Sequence, residues 1–209
     1  MTSDEIAALF SRTSGQYLFA RWGRPIAPVV FGVDDATLAT VKGAVEAVVT
    51  LAGHTMAETD PELGANLMVF FIRDWAELSD TPNLDRLLPD LPGLVVRLQA
   101  AGANQYRAFR FDCDGAIRAA FVFLCMDEAL AAMPADGLAL SQAVQVMLLW
   151  SDTAFAGTSP LARAGQTLIL RPDIAEVIRA AYDPVMPAVA HDPSHALRLS
   201  ARVAQPKVD

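Results

Sequence analysis

Histidine, cysteine and lysine are all scarce in these 209 residues, and each shortage narrows what the chain can do. Three histidines leave few imidazoles for a metal centre or a catalytic triad. Two cysteines, Cys113 and Cys125, cannot build a disulfide framework, and they form no CxxC pair. Two reduced thiols and a cytoplasmic location are the expectation. A single bridge stays open, because the Asp114-Gly115 turn between them would bring their segments together. The basic residues are 14 Arg but only Lys42 and Lys207 for lysine. The arginines are scattered, and the formal net charge is −8, which argues against a nucleic-acid partner. Arg107, Arg110 and Arg118 form the densest basic group, but a hairpin would spread them over both faces of a sheet.

Long apolar runs are also missing. A membrane span needs about 18 consecutive apolar residues. The longest charge-free stretch, Gly137–Ser151, is interrupted by Ser141, Gln142 and Gln145, and Thr153–Ala162 is rich in small and polar residues. No membrane span is therefore expected. The opening MTSDEIAALFSRTSG has early acids and no basic start, which is unlike a secretory signal; a chain whose leader had been removed would read the same. Familiar catalytic signatures are absent too: no G-x-S-x-G, no P-loop, no G-x-G-x-x-G and no H-E-x-x-H. A Ser-His-Asp or Cys-His set assembled from distant positions stays open.

What is present is apolar content. Hydrophobic residues make up 53% of the chain, mean hydropathy is +0.31 and the sequence pI is about 4.8. That is ample for a buried core, so disorder is excluded. A short helix is predicted over Asp4–Ser11, with Ser3 to Glu5 capping and charging its start. Strands follow at Tyr17–Arg21 and Ile26–Phe31, and Pro25 and Pro28 favour an edge position for the second. Asp34 is placed to cap a helix over Asp35–Ala52, where Leu38, Val41, Val45, Val48 and Ala52 form a stripe. Gly53 stops it. The run Asn66–Arg73 (NLMVFFIR) predicts a central strand buried on both faces.

Thr81-Pro82-Asn83 opens a helical stretch broken by Pro89 and Pro92 and resumed over Gly93–Ala101. Tyr106–Asp112 and Ala116–Phe121 predict antiparallel strands around Asp114-Gly115. Helices are expected over Asp127–Met133, Leu138–Trp150 and Asp173–Tyr182, with Pro172 at the first position of the third. Thr167–Leu170 is a short extended piece, and Asp192-Pro193 opens a last helix to about Ala204. The order of elements predicts an α+β fold, a mixed β-sheet with an antiparallel hairpin packed against several helices. It is read as one domain over 1–209, with a strand–helix–strand half (1–103) and a hairpin and helical half (104–209).

Candidate chemistry is thin. His54 follows the glycine that ends the strongest helix, where an imidazolium favours the helix dipole. His191 and His195 are four apart, but Pro193 starts a helix between them and no third ligand is evident, so no metal and no cofactor are expected. Asp112-Cys113-Asp114-Gly115 resembles the opening of a calcium loop, lacks the later ligands, and is explained by a hairpin turn. Asp127-Glu128 starts a helix, and Asp152 reads as the cap or end of another.

Two segments carry a resemblance: IRAAFVFLCMDEALAAM (Ile117–Met133) and RPDIAEVIRAAYDPVMPAVA (Arg171–Ala190), with the strand Asn66–Arg73 upstream. Together they resemble a bacterial family of uncharacterised, mostly exported proteins with a zincin-like, metallopeptidase-type architecture. In that family an apolar strand leads to a cysteine and then to a helix carrying the zinc-site residues, and a Tyr-Asp-Pro segment closes the domain. The resemblance covers about two thirds of the chain. It implies that Cys125 is the cysteine before the helix and that Tyr182, Asp183 and Pro184 are the closing segment. It also places Asp127 and Ala131 where two zinc histidines belong, and Glu128 where the catalytic glutamate belongs. An aspartate and a methyl group cannot supply two imidazoles one turn apart, and Glu128 without a metal has no activated water to serve.

The implied protein is a degenerate, non-catalytic zincin-like domain that acts by binding a protein or a small molecule. Two other readings stand beside it. One is a structural protein that oligomerises through apolar surface, with a homo-oligomer left open. The other is a hydrolase with a non-standard carboxylate site, Glu128 with Asp127 or Asp152 and His54. Asp152, Tyr182 and His54 are also the candidates for ligand binding.

Overall fold

The computed structural model describes residues 1–165 and 167–204. Helix α1 (Ser3–Phe10) begins one residue earlier than expected, because Thr2 rather than Ser3 caps it. The Thr2 hydroxyl accepts from the Glu5 amide and the Glu5 carboxylate accepts from the Thr2 amide, a reciprocal capping box. Strands β1 (Phe19–Ala20) and β2 (Pro28–Phe31) are shorter than predicted. Helix α2 (Asp35–Ala52) has the predicted bounds. Asp34 accepts from the Thr37 amide at its start, and Gly53, at φ +66°, ends it in the left-handed region.

Strand β3 (Leu67–Ile72) precedes a 3-10 turn (Trp75–Asp80) and helices α3 (Leu84–Leu87) and α4 (Leu91–Ala100). Pro92 does not break α4 as expected. It lies in the first turn, where a backbone N–H has no intrahelical partner to lose. The predicted hairpin is β4 (Gln105–Phe111) and β5 (Ile117–Cys125), with Gly115 at φ +86° in the turn. Asp112 closes that turn by accepting from the Asp114 and Ala116 amides. Helix α5 (Glu128–Ala131) is only one turn long. Helix α6 (Ala135–Met147) lies three residues N-terminal of its predicted span, because Leu148 is already extended (φ −134°, ψ 157°). Strands β6 (Leu161–Ala164) and β7 (Thr167–Leu170) form a small hairpin of which only the second strand was expected. Helix α7 (Pro172–Ala181), β8 (Val189–Ala190) and α8 (Ser194–Val203) complete the described chain.

The main sheet has the order β2-β3-β5-β4; β2, β3 and β5 are parallel and β4 is antiparallel to β5. It is therefore a mixed sheet in an α+β fold. Period-2 alternation gives its two central strands an apolar side chain on each face. Leu67, Val69, Ala120, Val122 and Leu124 join the larger core, built with α1, α2, α6, α7 and α8. Phe70, Ile72, Phe121 and Phe123 join a smaller core under the 3-10 turn, α3 and α4. Pro28 sits on the edge strand, as a residue without an N–H requires. Both cysteines are free: Cys113 at the exposed hairpin turn, Cys125 at the far end of β5. No helix among the described residues is long and apolar enough to cross a membrane.

Candidate functional site

The other edge of the sheet, β4, faces a cleft of about 980 Å³. Its second wall is α6, through Ser141 and Gln145, and its third is the segment from 149 to 160. That third wall is held by aromatic packing. Trp150 stacks on Phe10 with ring centroids 5.3 Å apart, Phe155 meets it edge-on at 5.1 Å, and its indole N–H donates to the Val144 carbonyl at 3.0 Å. Arg12 adds a clamp by donating to the Trp150 carbonyl at 2.9 Å.

Gln105 and Arg107 are two apart on β4, so they project to the same face, toward α6. There they meet Gln142, a buried polar side chain on the helix. One Arg107 Nη donates to Gln105 Oε1 at 2.8 Å and to Gln142 Oε1 at 2.7 Å; the Gln142 amide donates to Gln105 Oε1 at 2.9 Å. Both acceptors of the guanidinium are neutral. Its Nε is closed off from solvent and has no hydrogen-bond partner among the described residues. No carboxylate pairs with Arg107 among the described residues. Burial lowers its pKa to about 10, which still leaves it a cation at neutral pH. Such a charge, half out of water and without a counter-ion among the described residues, has N–H groups suited to donate to an anion. Arg110, by contrast, projects to the other face and donates to the Leu87 carbonyl, so the hairpin does separate the basic cluster.

The candidates read from sequence fall in three separate places. Asp152 lines the cleft, where it accepts from the Thr13 amide at 3.1 Å and from the Thr13 hydroxyl. Those bonds hold its carboxyl below the usual range. Asp127 and Glu128 are exposed at the start of α5 and line neither this cleft nor the smaller groove on the opposite face. Asp127 caps α5 by accepting from the Leu130 amide, and its other oxygen accepts from Asn104, both at 2.8 Å; its pKa is lowered accordingly. Ala131 is exposed on the same turn.

Tyr182 and His54 are brought together, with ring centroids 5.1 Å apart. The Tyr182 hydroxyl donates to the Met147 carbonyl at 2.9 Å, and burial pushes its pKa up. His54 Nε2 donates to the Arg24 carbonyl at 2.9 Å, and burial pushes its pKa down. A neutral, half-buried ring replaces the imidazolium expected at the end of α2. His191 is exposed, while His195 is buried against Phe19 with Nδ1 bonded to the Tyr17 hydroxyl at 2.8 Å. No group of three or more His, Cys, Asp or Glu placed to hold a metal occurs among the described residues.

Sequence reasoning overlooked Gln105, Arg107 and Gln142 as a set. The available signal was the Gln-x-Arg spacing, which puts an amide and a guanidinium on one face of a strand, but the strand predicted over Tyr106–Asp112 began one residue too late to include Gln105. No family model, curated protein or solved structure matches the chain.

Proposed function

We propose that the chain is a binding module that receives an anionic group, a carboxylate or a phosphate, in the cleft beside β4. The observation that carries this reading is Arg107, whose guanidinium has only neutral glutamine partners and an unbonded, buried Nε. Holding a charge partly out of water without a counter-ion carries a desolvation cost. An incoming anion recovers part of that cost and, unlike water, brings the opposite charge. The polar groups of Ser141 and Gln145 on α6 lie beside the same cleft and supply further hydrogen bonds. The degenerate zincin-like scaffold implied by the sequence resemblance belongs to the same proposal. In it the position equivalent to a zinc site has lost its ligands and the domain acts by binding. The exposed, one-turn setting of Asp127 and Glu128 supports that non-catalytic reading, since it gives Glu128 no enclosed site in which to act.

The experiment is isothermal titration with succinate and, separately, inorganic phosphate. Wild type binds at least one of them, and Arg107→Gln weakens that binding about tenfold or more, the value of one charge-assisted contact. Arg107→Lys retains part of it. Equal binding by wild type and Arg107→Gln, or no binding of either anion, overturns the reading.

A further inference from the structure

On the opposite face of the sheet a groove of about 340 Å³ opens where the cover of α3 ends. Its floor is apolar: Met68 from β3 and Ala119 and Phe121 from β5. Ala119 stands opposite Arg110 in the β4–β5 register, and its single methyl leaves depth that a larger side chain would fill. Leu87 and Phe111, 39% and 40% exposed, extend the apolar surface to the rim. Three arginines border the groove, Arg86, Arg110 and Arg118, and no acidic residue among those described does. Among the described residues no carboxylate pairs with any of the three.

In a chain of net charge −8 this local excess of cation beside an apolar floor is specific in its chemistry. A simple anion satisfies the rim but leaves the floor wet. A neutral hydrocarbon covers the floor but brings the guanidinium groups no opposite charge. An amphiphile with both parts satisfies both. We propose that this groove is a second binding site, for a single-chain amphiphile with a carboxylate head, its alkyl chain over Ala119 and Phe121 and its head at Arg86 and Arg118. The groove opens on the other face of the sheet from the cleft beside β4, and the two share Arg110 and Phe111 at their rims. Arg110 borders both and is therefore left unaltered in the test.

The probe is decanoate below its micelle-forming concentration, titrated calorimetrically, with 1-decanol and acetate as the two half-ligands. In the Arg107→Gln background decanoate binds at one site, and each half-ligand binds about tenfold more weakly or not at all. Ala119→Leu fills the groove, and the double variant Arg86→Gln/Arg118→Gln removes the charge; each weakens decanoate about tenfold or more. The double variant replaces side chains without described partners, so it keeps the fold even where Ala119→Leu strains it. These titrations use Arg107→Gln as the background, in which the proposed anion cleft beside β4 no longer takes a carboxylate, so failure of this site and failure of that cleft are read separately. Absent decanoate binding, binding insensitive to the double variant, or decanol binding as well as decanoate overturns the proposal. Co-sedimentation with phosphatidylglycerol vesicles that persists in both groove variants, without binding of monomeric decanoate, also overturns it and identifies a lipid surface as the partner.

Discussion

His195 shows how little a residue's type says about its role until its surroundings are known. In the sequence it pairs with His191 as a weak metal candidate. In the fold it is 3% exposed, Tyr17 takes its Nδ1, and its Nε2 has no partner among the described residues. Burial lowers its pKa to about 4, from an ordinary value near 6.5. The folded state then resists protonation that the unfolded state accepts, so stability rises with pH across this window. The contribution is present above about pH 6.5 and is lost as pH falls toward 4, with about 3 kcal/mol as its upper bound. Urea midpoints measured from pH 7 to pH 4.5 should fall in wild type. The fall should flatten in His195→Phe, which keeps a ring against Phe19 and removes the titrating group. A parallel fall in both proteins assigns the pH dependence elsewhere. Nothing in the HDPSH string predicts this behaviour, because the burial comes from Tyr17 and Phe19, far away in the chain. The same holds for Arg107: its isolation is set by Gln142, 35 residues on.

At the scale of elements, legibility follows how local the determining interactions are. Helix α2 has its cap, its stripe and its stop within its own span, and its bounds are predicted correctly. Asp34→Ala removes the side-chain acceptor for the Thr37 amide and should cost about 1 kcal/mol, read as a lowered thermal midpoint with the fold unchanged. Helix α6 was displaced because Leu148 and Leu149 look helical in sequence. Tertiary pairing instead extends them: Leu148 bridges to Arg21, and the Leu149 amide donates to the Ala20 carbonyl at 2.9 Å. Strand β6 escaped because its Leu-Ala-Arg-Ala sequence has little strand preference and is strand only by pairing with β7. Just after β2, Gly32 has φ +82°, and a β-carbon there would run into the Phe71 carbonyl oxygen on the neighbouring strand. Gly32→Ala combines an unfavourable dihedral with a backbone clash. It should cost more than about 2 kcal/mol, whereas Ala at the exposed, ordinary-φ Gly43 inside α2, where a β-carbon meets nothing, should stabilise by about 0.5–1 kcal/mol. Chemical denaturation of the two variants side by side decides whether the close approach of Gly32 to β3 has that weight.

The whole molecule rests on two central strands that serve two cores at once. Val122 and Phe123 are neighbours on β5, both fully buried. The first faces the larger core with α2 and α6; the second faces the smaller one under α4. Apolar abundance in the sequence announces a core, and the unbroken run NLMVFFIR announces a strand covered on both sides. Neither says that the two layers are closed by separate stretches of chain, because which helix covers which face is settled by packing alone. Shared strands make the layers interdependent. Losing either one exposes one face of β3 and β5 and removes the support of the other, so the domain should unfold in a single transition. Val122→Ala should lower that transition by about 2 kcal/mol and Phe123→Ala by about 3–5 kcal/mol. Both should shift the whole curve, whether it is followed by far-ultraviolet dichroism or by tryptophan emission. The tryptophans sample both layers, with Trp22 and Trp150 in the larger core and Trp75 in the smaller. If Phe123→Ala instead splits the curve, so that emission changes before the helices melt, then the two layers fold as separate units and the single-domain reading fails.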